Sequence, residues 1–373
     1  MMDQKTDQRK TIKTLFELVL SPHSQDWKEH ILNQITILRK AIKTTRNFWI
    51  ILSLRVLYEK RIGHFRNGIE EELEYSEYLS VINSLDCLSK ESFNIIKNRR
   101  GYFLQNENAG FTFQASSLVA APALFELALS LYSDDWIVEQ TDVMTYHFRK
   151  IDLDCFVQKL NNKLFTVKFK QFEIVGPYES LSLFFFECVN GTYGWNFDGK
   201  IVLDVGAFCG ETAVFFWSQG AKKIIIYEPV LEHQELVQKN MIRNNINAEI
   251  HTEGIGEKDG IATIRYDSAG VSFGLAQNKG GKQLEVKIRS AARVIESSGA
   301  DIGKFDCEGA EISLLKLPES ILRKIEFYII ETHSLQIRNA IVDKFVRSGF
   351  KQARPPREYS RDLSMLFFEK EPR

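Results

Sequence analysis

Residues 199–229 read GKIVLDVGAFCGETAVFFWSQGAKKIIIYEP, and this stretch decides the fold. KIVLDV (200–205) is an apolar run of strand length. A loop holding Gly206 and Gly210 follows it. GETAVFFWSQG (210–220) has helical length and stops on a glycine. KKIIIYEP (222–229) is a second apolar strand. Strands that are apolar throughout, without polar alternation, are covered on both faces, as in a parallel sheet flanked by helices.

The rhythm continues outward. LEHQELVQKNMIRNN (231–245) reads as a helix and AEIHTEG (248–254) as a strand. KFDCEG (304–309), KIEFYIIETH (324–333), the helical SLQIRNAIVDKFVRSG (334–349) and SMLFFEK (364–370) extend the pattern. The expected fold is α/β and Rossmann-like, with the sheet domain over 191–373. A β-rich connecting segment over 141–190 precedes it, where KLFTVKFKQFEIVGP (163–177) carries closely spaced aromatic and β-branched residues. LSLFFFECV (181–189) suits either helix or strand. Residues 1–140 form a mainly helical N-terminal region: Ile31, Ile35, Leu38 and Ile42 recur on one helix face. A Gly/Asn-rich break is expected at GYFLQNENAG (101–110), then a helix over 122–132.

Composition excludes several classes. The chain has 373 residues, 44% of them hydrophobic, and a formal net charge of −1, so it is globular and not basic overall. Its five cysteines include no C-x-x-C pair and its seven histidines no H-x-x-x-H, which predicts neither a disulfide framework nor a structural zinc and fits a cytoplasmic protein. The apolar runs FWIILSL (48–54) and LVAAPALFELALSLY (118–132) fall short of the roughly 20 residues that span a bilayer, so no membrane span is expected.

Ligands of such sheets bind beyond the carboxyl ends of the strands, which puts the LDVGAFCGE loop (203–211) in the crevice. Gly206 admits close backbone approach, and Gly210 opens the next helix, whose N–H groups suit an anionic end group. Glu228 ends the following strand, where an acid accepts hydrogen bonds from ribose hydroxyls. A pyrophosphate-binding loop prefers G-x-G-x-x-G. The pattern here is D-x-G-x-x-x-G, and Asp204 suits an ammonium better than a phosphate. S-adenosylmethionine combines an amino-acid end, a ribose and a sulfonium with no phosphate, and it fits better than a nicotinamide dinucleotide.

DVGAFCGET, then GAKKIIIYEP with Asn240 and Asn244, resembles the FkbM-type family of S-adenosylmethionine-dependent methyltransferases. KFDCEGAE (304–311) is similar to that family's K-x-D-x-E-G-x-E signature, and FYIIETH (327–333) to its strand ending in Glu-x-His. The resemblance covers about residues 180–370. It implies a class I methyltransferase sheet of seven strands with the last antiparallel, here built from Phe350–Ala353 and Met365–Glu369. It places Asp204, Gly206, Ala207 and Gly210 at the methionine end, Glu228 and Pro229 at the ribose, and Glu253 near adenine. Two departures stand out. Family members carry Asn where Phe208 or Cys209 stands, and SAARVIE (290–296) lacks the acid of a usual Leu-Asp pair.

Methyl transfer from a sulfonium is an in-line displacement that needs positioning and, in principle, no metal. A hydroxyl acceptor gains from a general base. Asp306, Glu308, Glu331 and His333 are the candidates, since alternate strand residues share a face. Asp306 is the foremost. Glu311 either joins them or opposes a helix dipole, His333 either acts or lines the pocket, and Lys304 could pair with an acid or a substrate anion. DSAGVSFGL (267–275) is either a lid or a surface turn.

The expected activity is O-methylation of a small-molecule or glycan hydroxyl. An RNA methyltransferase is one alternative, with Lys60, Arg61, His64, Arg66 and KNRR (97–100) as a basic face, although EEELE (70–74) offsets that charge and nucleic acid is not the expected partner. A non-catalytic cofactor-binding or scaffold protein is the other. The N-terminal helices are expected to mediate oligomer or partner contacts.

Overall fold

In the computed structural model the described residues are 94–98, 101–106, 111–115, 124, 127–129, 131, 136–142, 144–161, 164–266 and 282–372. The chain divides into two compact units, Met1–Glu139 and Gln140–Arg373. Helices are expected from sequence over 10–100; residues 10–93 of that stretch, the basic face at 60–66 and the loop 267–275 lie outside the described residues, and 94–98 form a strand rather than helix, because they pair with the following strand.

In the first unit, strands β1 (Asn94–Asn98), β2 (Gly101–Asn106) and β3 (Phe111–Ala115) pair antiparallel in succession. The expected break at 101–110 is therefore partly a strand. Its Leu104 is buried, as are the alternating Phe111, Phe113 and Ala115 of β3, which is the period-two signature of a half-buried sheet. The opening residues of β4 (Ile137–Asp142) pair in parallel with Thr112–Gln114. Leu124, Leu127, Ala128 and Leu129 are buried, inside the 122–132 stretch expected as helix.

The second unit opens with an antiparallel meander, β5 (Thr145–Lys150), β6 (Leu153–Lys159), β7 (Phe165–Phe169) and β8 (Phe172–Gly176). The ambiguous 181–189 stretch is helical: α1 (Tyr178–Leu183) runs into a π-helical turn over Phe184–Val189.

The main sheet follows. It contains β9 (Ile201–Val205), β10 (Lys223–Tyr227), β11 (Ala248–His251), β15 (Ile302–Phe305), β16 (Phe327–Thr332), β17 (Phe350–Gln352) and β19 (Ser364–Lys370) in the order β11-β10-β9-β15-β16-β19-β17, with β18 (Arg357–Glu358) beside β19. The first five of these are parallel, and β19 runs antiparallel between β16 and β17. This is the Rossmann-like seven-stranded sheet with an antiparallel last strand. Strand order reverses between β9 and β15, so the crevice at their carboxyl ends is the binding position. Between β11 and β15 the chain makes a small second sheet from β12 (Gly254–Gly256), β13 (Gly260–Tyr266) and β14 (Lys282–Ser290), which the sequence pattern did not disclose.

Helices α2 (Glu211–Ser218), α3 (Leu231–Arg243), α4 (Ala291–Ser298), a 3-10 helix over Ala310–Lys316, α5 (Glu319–Leu322) and α6 (Leu335–Arg347) connect the strands. The start of α6 is fixed by Ser334, whose Oγ accepts the Ile337 N–H at 3.1 Å. Its Ile341 and Phe345 enter a core shared with Tyr328, Ile330, Phe350, Leu366 and Phe368. On α3, Asn240 and Asn244 lie one turn apart and face the outer edge of β8. Asn240 accepts from Val175 N–H at 2.9 Å and donates to the Val175 carbonyl at 2.8 Å. Asn244 does the same for Glu173, at 2.8 and 2.7 Å. The two amides thus stand in for a missing strand, and Asn240 also donates to the Cys209 carbonyl of the glycine loop at 2.8 Å.

Candidate functional site

At the switch point lies a cavity of about 130 Å³, open to solvent on one side. Its floor is Gly206, Phe208 and Glu228, its apolar wall Pro229, Ile255, Ile264, Val286 and Ile288, and its far end Asp306 and Glu308. The small second sheet supplies most of the apolar wall. Glu228, Asp306 and Glu308 are its charged lining residues, and no lysine or arginine lines it among the described residues.

The loop after β9 is bent tightly enough to explain its glycines. Gly206 has φ +76°, and a Cβ there would sit 1.7 Å from the Asp306 carbonyl oxygen. Its lack of a side chain is thus required by the end of β15 as well as by any ligand. Phe208 also takes a left-handed conformation, φ +48°, which strains a bulky residue. Glu228 holds it there: one carboxylate oxygen accepts the Phe208 N–H and the other the Val230 N–H, both at 3.0 Å. Each oxygen keeps a lone pair to offer the cavity. The Phe208 ring stands edge-on to His233 at 4.5 Å.

Beneath the loop is a buried charge cluster. Lys304 and Asp204 are register partners on β15 and β9, so their side chains share one face. The Lys304 ammonium donates to the Gly206 carbonyl at 2.8 Å and lies 3.4 Å from Asp204 Oδ1 and 3.3 Å from Asp306 Oδ2. Asp204 Oδ2 accepts from Thr212 Oγ at 2.6 Å. Burial alone would discharge Lys304, but the surrounding acids, Asp306 and Asp204 foremost, hold its pKa well above the usual lysine value. Glu211, the second acid of the LDVGAFCGE loop, faces back under α1. It accepts from Cys209 N–H at 3.2 Å and Ser180 Oγ at 3.3 Å, and burial pushes its pKa up to about 8.

At the far end, Glu311 in the first turn of the 3-10 helix is fully buried. It accepts from Gly309 N–H at 2.7 Å and His333 N–H at 3.1 Å, and its Oε1 lies 3.1 Å from the His333 ring Nδ1. That contact turns Nε2 of His333 outward, 3.4 Å from Glu308 Oε2 and 3.9 Å from Asp306 Oδ1. Burial opposes the imidazolium, but Glu311, Asp306 and Glu308 outweigh it and raise His333 to about 9. Burial and Asp306 push Glu308 up to about 8 against the pull of His333. Glu331 on β16 is 6% exposed and pushed upward by burial and by Asp306. Glu187, in the π-helical turn, is pushed up by the same causes and accepts from Tyr193 and Tyr359 hydroxyls.

The candidates from sequence therefore separate. Gly206, Glu228, Pro229, Asp306 and Glu308 line one cavity. Glu331 and His333 join Asp306 behind its far end. Asp204 does not reach it: the residue expected at a methionine ammonium is fully buried and taken by Lys304 and Thr212. Glu253, expected near adenine, is held away by Arg289 at 2.8 and 3.1 Å and lines a neighbouring groove with His251 and Arg293. Ala207 is buried in the turn, where its carbonyl accepts the Gly210 N–H at 2.6 Å, and Gly210 caps α2 beside Val237 and Met241. Asp306 and Glu308 are not strand neighbours as alternation suggested. β15 ends at Phe305, and Glu308 is turned inward by its left-handed φ of +53°. Sequence reasoning missed Glu187, whose signal was a lone acid within an apolar run, and Asn240 as a support of the loop.

No protein-family model matches the chain, and no curated protein matches it. Among solved structures, the chain is similar to a conserved hypothetical protein of Streptococcus pyogenes, at 14% identity over 50% of this chain and 94% of that one, with a TM-score of 0.33. It is also similar to a ribosomal protein L11 methylase of Lactobacillus delbrueckii subsp. bulgaricus, at 16% identity over 52% and 81%, TM-score 0.31. A third is a tRNA methyltransferase of B. subtilis, at 11% identity over 50% and 66%, TM-score 0.31.

Proposed function

We propose that the chain is an S-adenosylmethionine-dependent methyltransferase of the FkbM type, and that its acceptor is a hydroxyl of a small molecule or glycan. One observation carries the reading: a cavity at the switch point whose charged lining residues, among those described, are the three carboxylates Glu228, Asp306 and Glu308. Such a lining repels pyrophosphate and favours a cationic, ribose-bearing ligand. Glu228 offers its remaining lone pairs to ribose hydroxyls. Pro229, Ile255 and Ile288 give a flat base an apolar bed. The cofactor, when bound, supplies an activated methyl group on a sulfonium.

The rest falls to this chain's own residues. Its walls position the acceptor and exclude water from the transfer line, worth far more than any single contact when the geometry is right. A hydroxyl acceptor loses its proton on methylation. Asp306 stands at the far end of the cavity to accept it, with Glu308 beside it in the lining.

The test is calorimetry with S-adenosylhomocysteine, followed by a labelled-methyl assay on cell extract fractionated into small molecules, glycans, RNA and protein. The wild-type chain is expected to bind, and Glu228→Gln to bind ten- to a hundredfold more weakly, about the loss of one charge-assisted hydrogen bond. Label is expected in the small-molecule or glycan fraction, and Asp306→Asn is expected to abolish it. No heat with S-adenosylhomocysteine sinks the cofactor reading. Label in RNA alone replaces the hydroxyl acceptor by the nucleic-acid alternative.

A further inference from the structure

The far end of the cavity gathers carboxyl groups from several elements of the fold. Asp204, Asp306, Glu308, Glu311, Glu331 and Glu187 crowd around one lysine and one histidine. Lys304 satisfies Asp204 and the Oδ2 side of Asp306. The Oδ1 side of Asp306 faces His333 and Glu308. We propose that Asp306, Glu308 and His333 form a binding site for one divalent cation of the first transition row, beside the methyl-transfer position.

The geometry suits an ion. One oxygen from each carboxylate and the His333 Nε2 all lie within 4.8 Å of one another. The two His333 distances are 3.4 Å to Glu308 and 3.9 Å to Asp306. Ligand atoms about 2.1 Å from a metal stand about 3.0 Å apart when cis in an octahedron and about 3.4 Å apart in a tetrahedron. Small side-chain rotations would bring all three onto one ion. Glu311 completes the arrangement. A carboxylate on the far ring nitrogen of a ligating histidine fixes the ring and raises its basicity, and it is the usual support for such a ligand. Two carboxylates and one imidazole favour manganese, iron or zinc over calcium.

Glu331 is 6% exposed and shares a side-chain hydrogen bond with Asp306, which leaves Asp306 anchored from the side away from His333. The inference rests on the methyltransferase reading only for its consequence, that the ion would bind the acceptor oxygen and make its hydroxyl more acidic.

The experiment is titration of Mn²⁺ onto the full chain, read by electron paramagnetic resonance of the unbound ion and by thermal melting, with S-adenosylhomocysteine calorimetry on the same samples. One saturable site per chain and a raised melting temperature are expected. His333→Ala and Glu308→Gln should each weaken Mn²⁺ binding at least tenfold, and Glu311→Gln, acting through the ring, ten- to a hundredfold. Glu308 is the most exposed of the three ligands and the substitution least prone to misfolding. A cooperatively folded wild type that binds S-adenosylhomocysteine but shows no saturable Mn²⁺ site overturns the proposal and leaves the methyltransferase reading standing. Binding that all three substitutions leave unchanged places the ion elsewhere and overturns it too. Binding with the expected losses, but without S-adenosylhomocysteine binding, upholds the site and removes the methyltransferase reading.

Discussion

Replacing Glu211 by Gln should make the protein more stable at neutral and alkaline pH. The side chain is 2% exposed, and burial raises its pKa from 4.5 to about 8. Below pH 4.5 the group is protonated in folded and unfolded chains alike and contributes no difference. As pH rises from there, the unfolded chain releases the proton while the folded chain keeps it. Stability then falls by about 1.4 kcal/mol per pH unit until the folded group also ionises. The fall ends near pH 8, with a total of about 5 kcal/mol as an upper bound for this one group. Glutamine has the same shape, can keep the Cys209 N–H bond, and does not titrate. Urea unfolding of both proteins from pH 4.5 to 8.5, followed by circular dichroism, gives the difference in stability at each pH. The expected difference grows steadily in favour of Gln across that window and is level above it. A difference that stays constant to within about 1 kcal/mol would mean Glu211 ionises normally, and the placement of its carboxylate under α1 would be wrong.

Two further outcomes follow from the buried loop. Gly206→Ala should cost about 3 kcal/mol or more, since it adds a Cβ against the Asp306 carbonyl at a positive φ, whereas Gly299→Ala, at φ +59° with open space around it, should cost about 1–2 kcal/mol; equal losses in urea melts would refute the close approach. Lys304→Met leaves Asp204 and Asp306 without their shared cation and should cost about 3–5 kcal/mol, part of it recovered by adding Asp204→Asn. A double-mutant cycle with no coupling would contradict the ion cluster.

The parts of the fold legible from sequence were those whose pattern is local. β9, α2 and β10 announce themselves because a buried strand is apolar throughout and a glycine marks each reversal. The strands at 94–115 do not, because GYFLQN mixes turn-forming and apolar residues and only its pairing with FTFQA shows which side is buried. The small sheet β12–β14 was hidden for the same reason: Ile261 is exposed and Val286 buried, an alternation that carries meaning only once the partner strand is known. In the site, Glu228 was placed by its position at a strand end. Asp204 was assigned to a ligand because its partner sits a hundred residues along the chain, and register between β9 and β15 is a tertiary fact. Glu311 was left between two roles, and its contact with the His333 ring gives it one.

The paired asparagines of α3 have a consequence for how the molecule behaves among its neighbours. An outermost strand normally leaves its peptide groups open to recruitment by another polypeptide. Here amides from a helix occupy those groups at Glu173 and Val175, so β8 is sealed against such recruitment without proline or a lysine fence. Because Asn240 also grips Cys209, that seal is tied mechanically to the glycine turn: loosening the meander's rim would slacken the cradle many residues away.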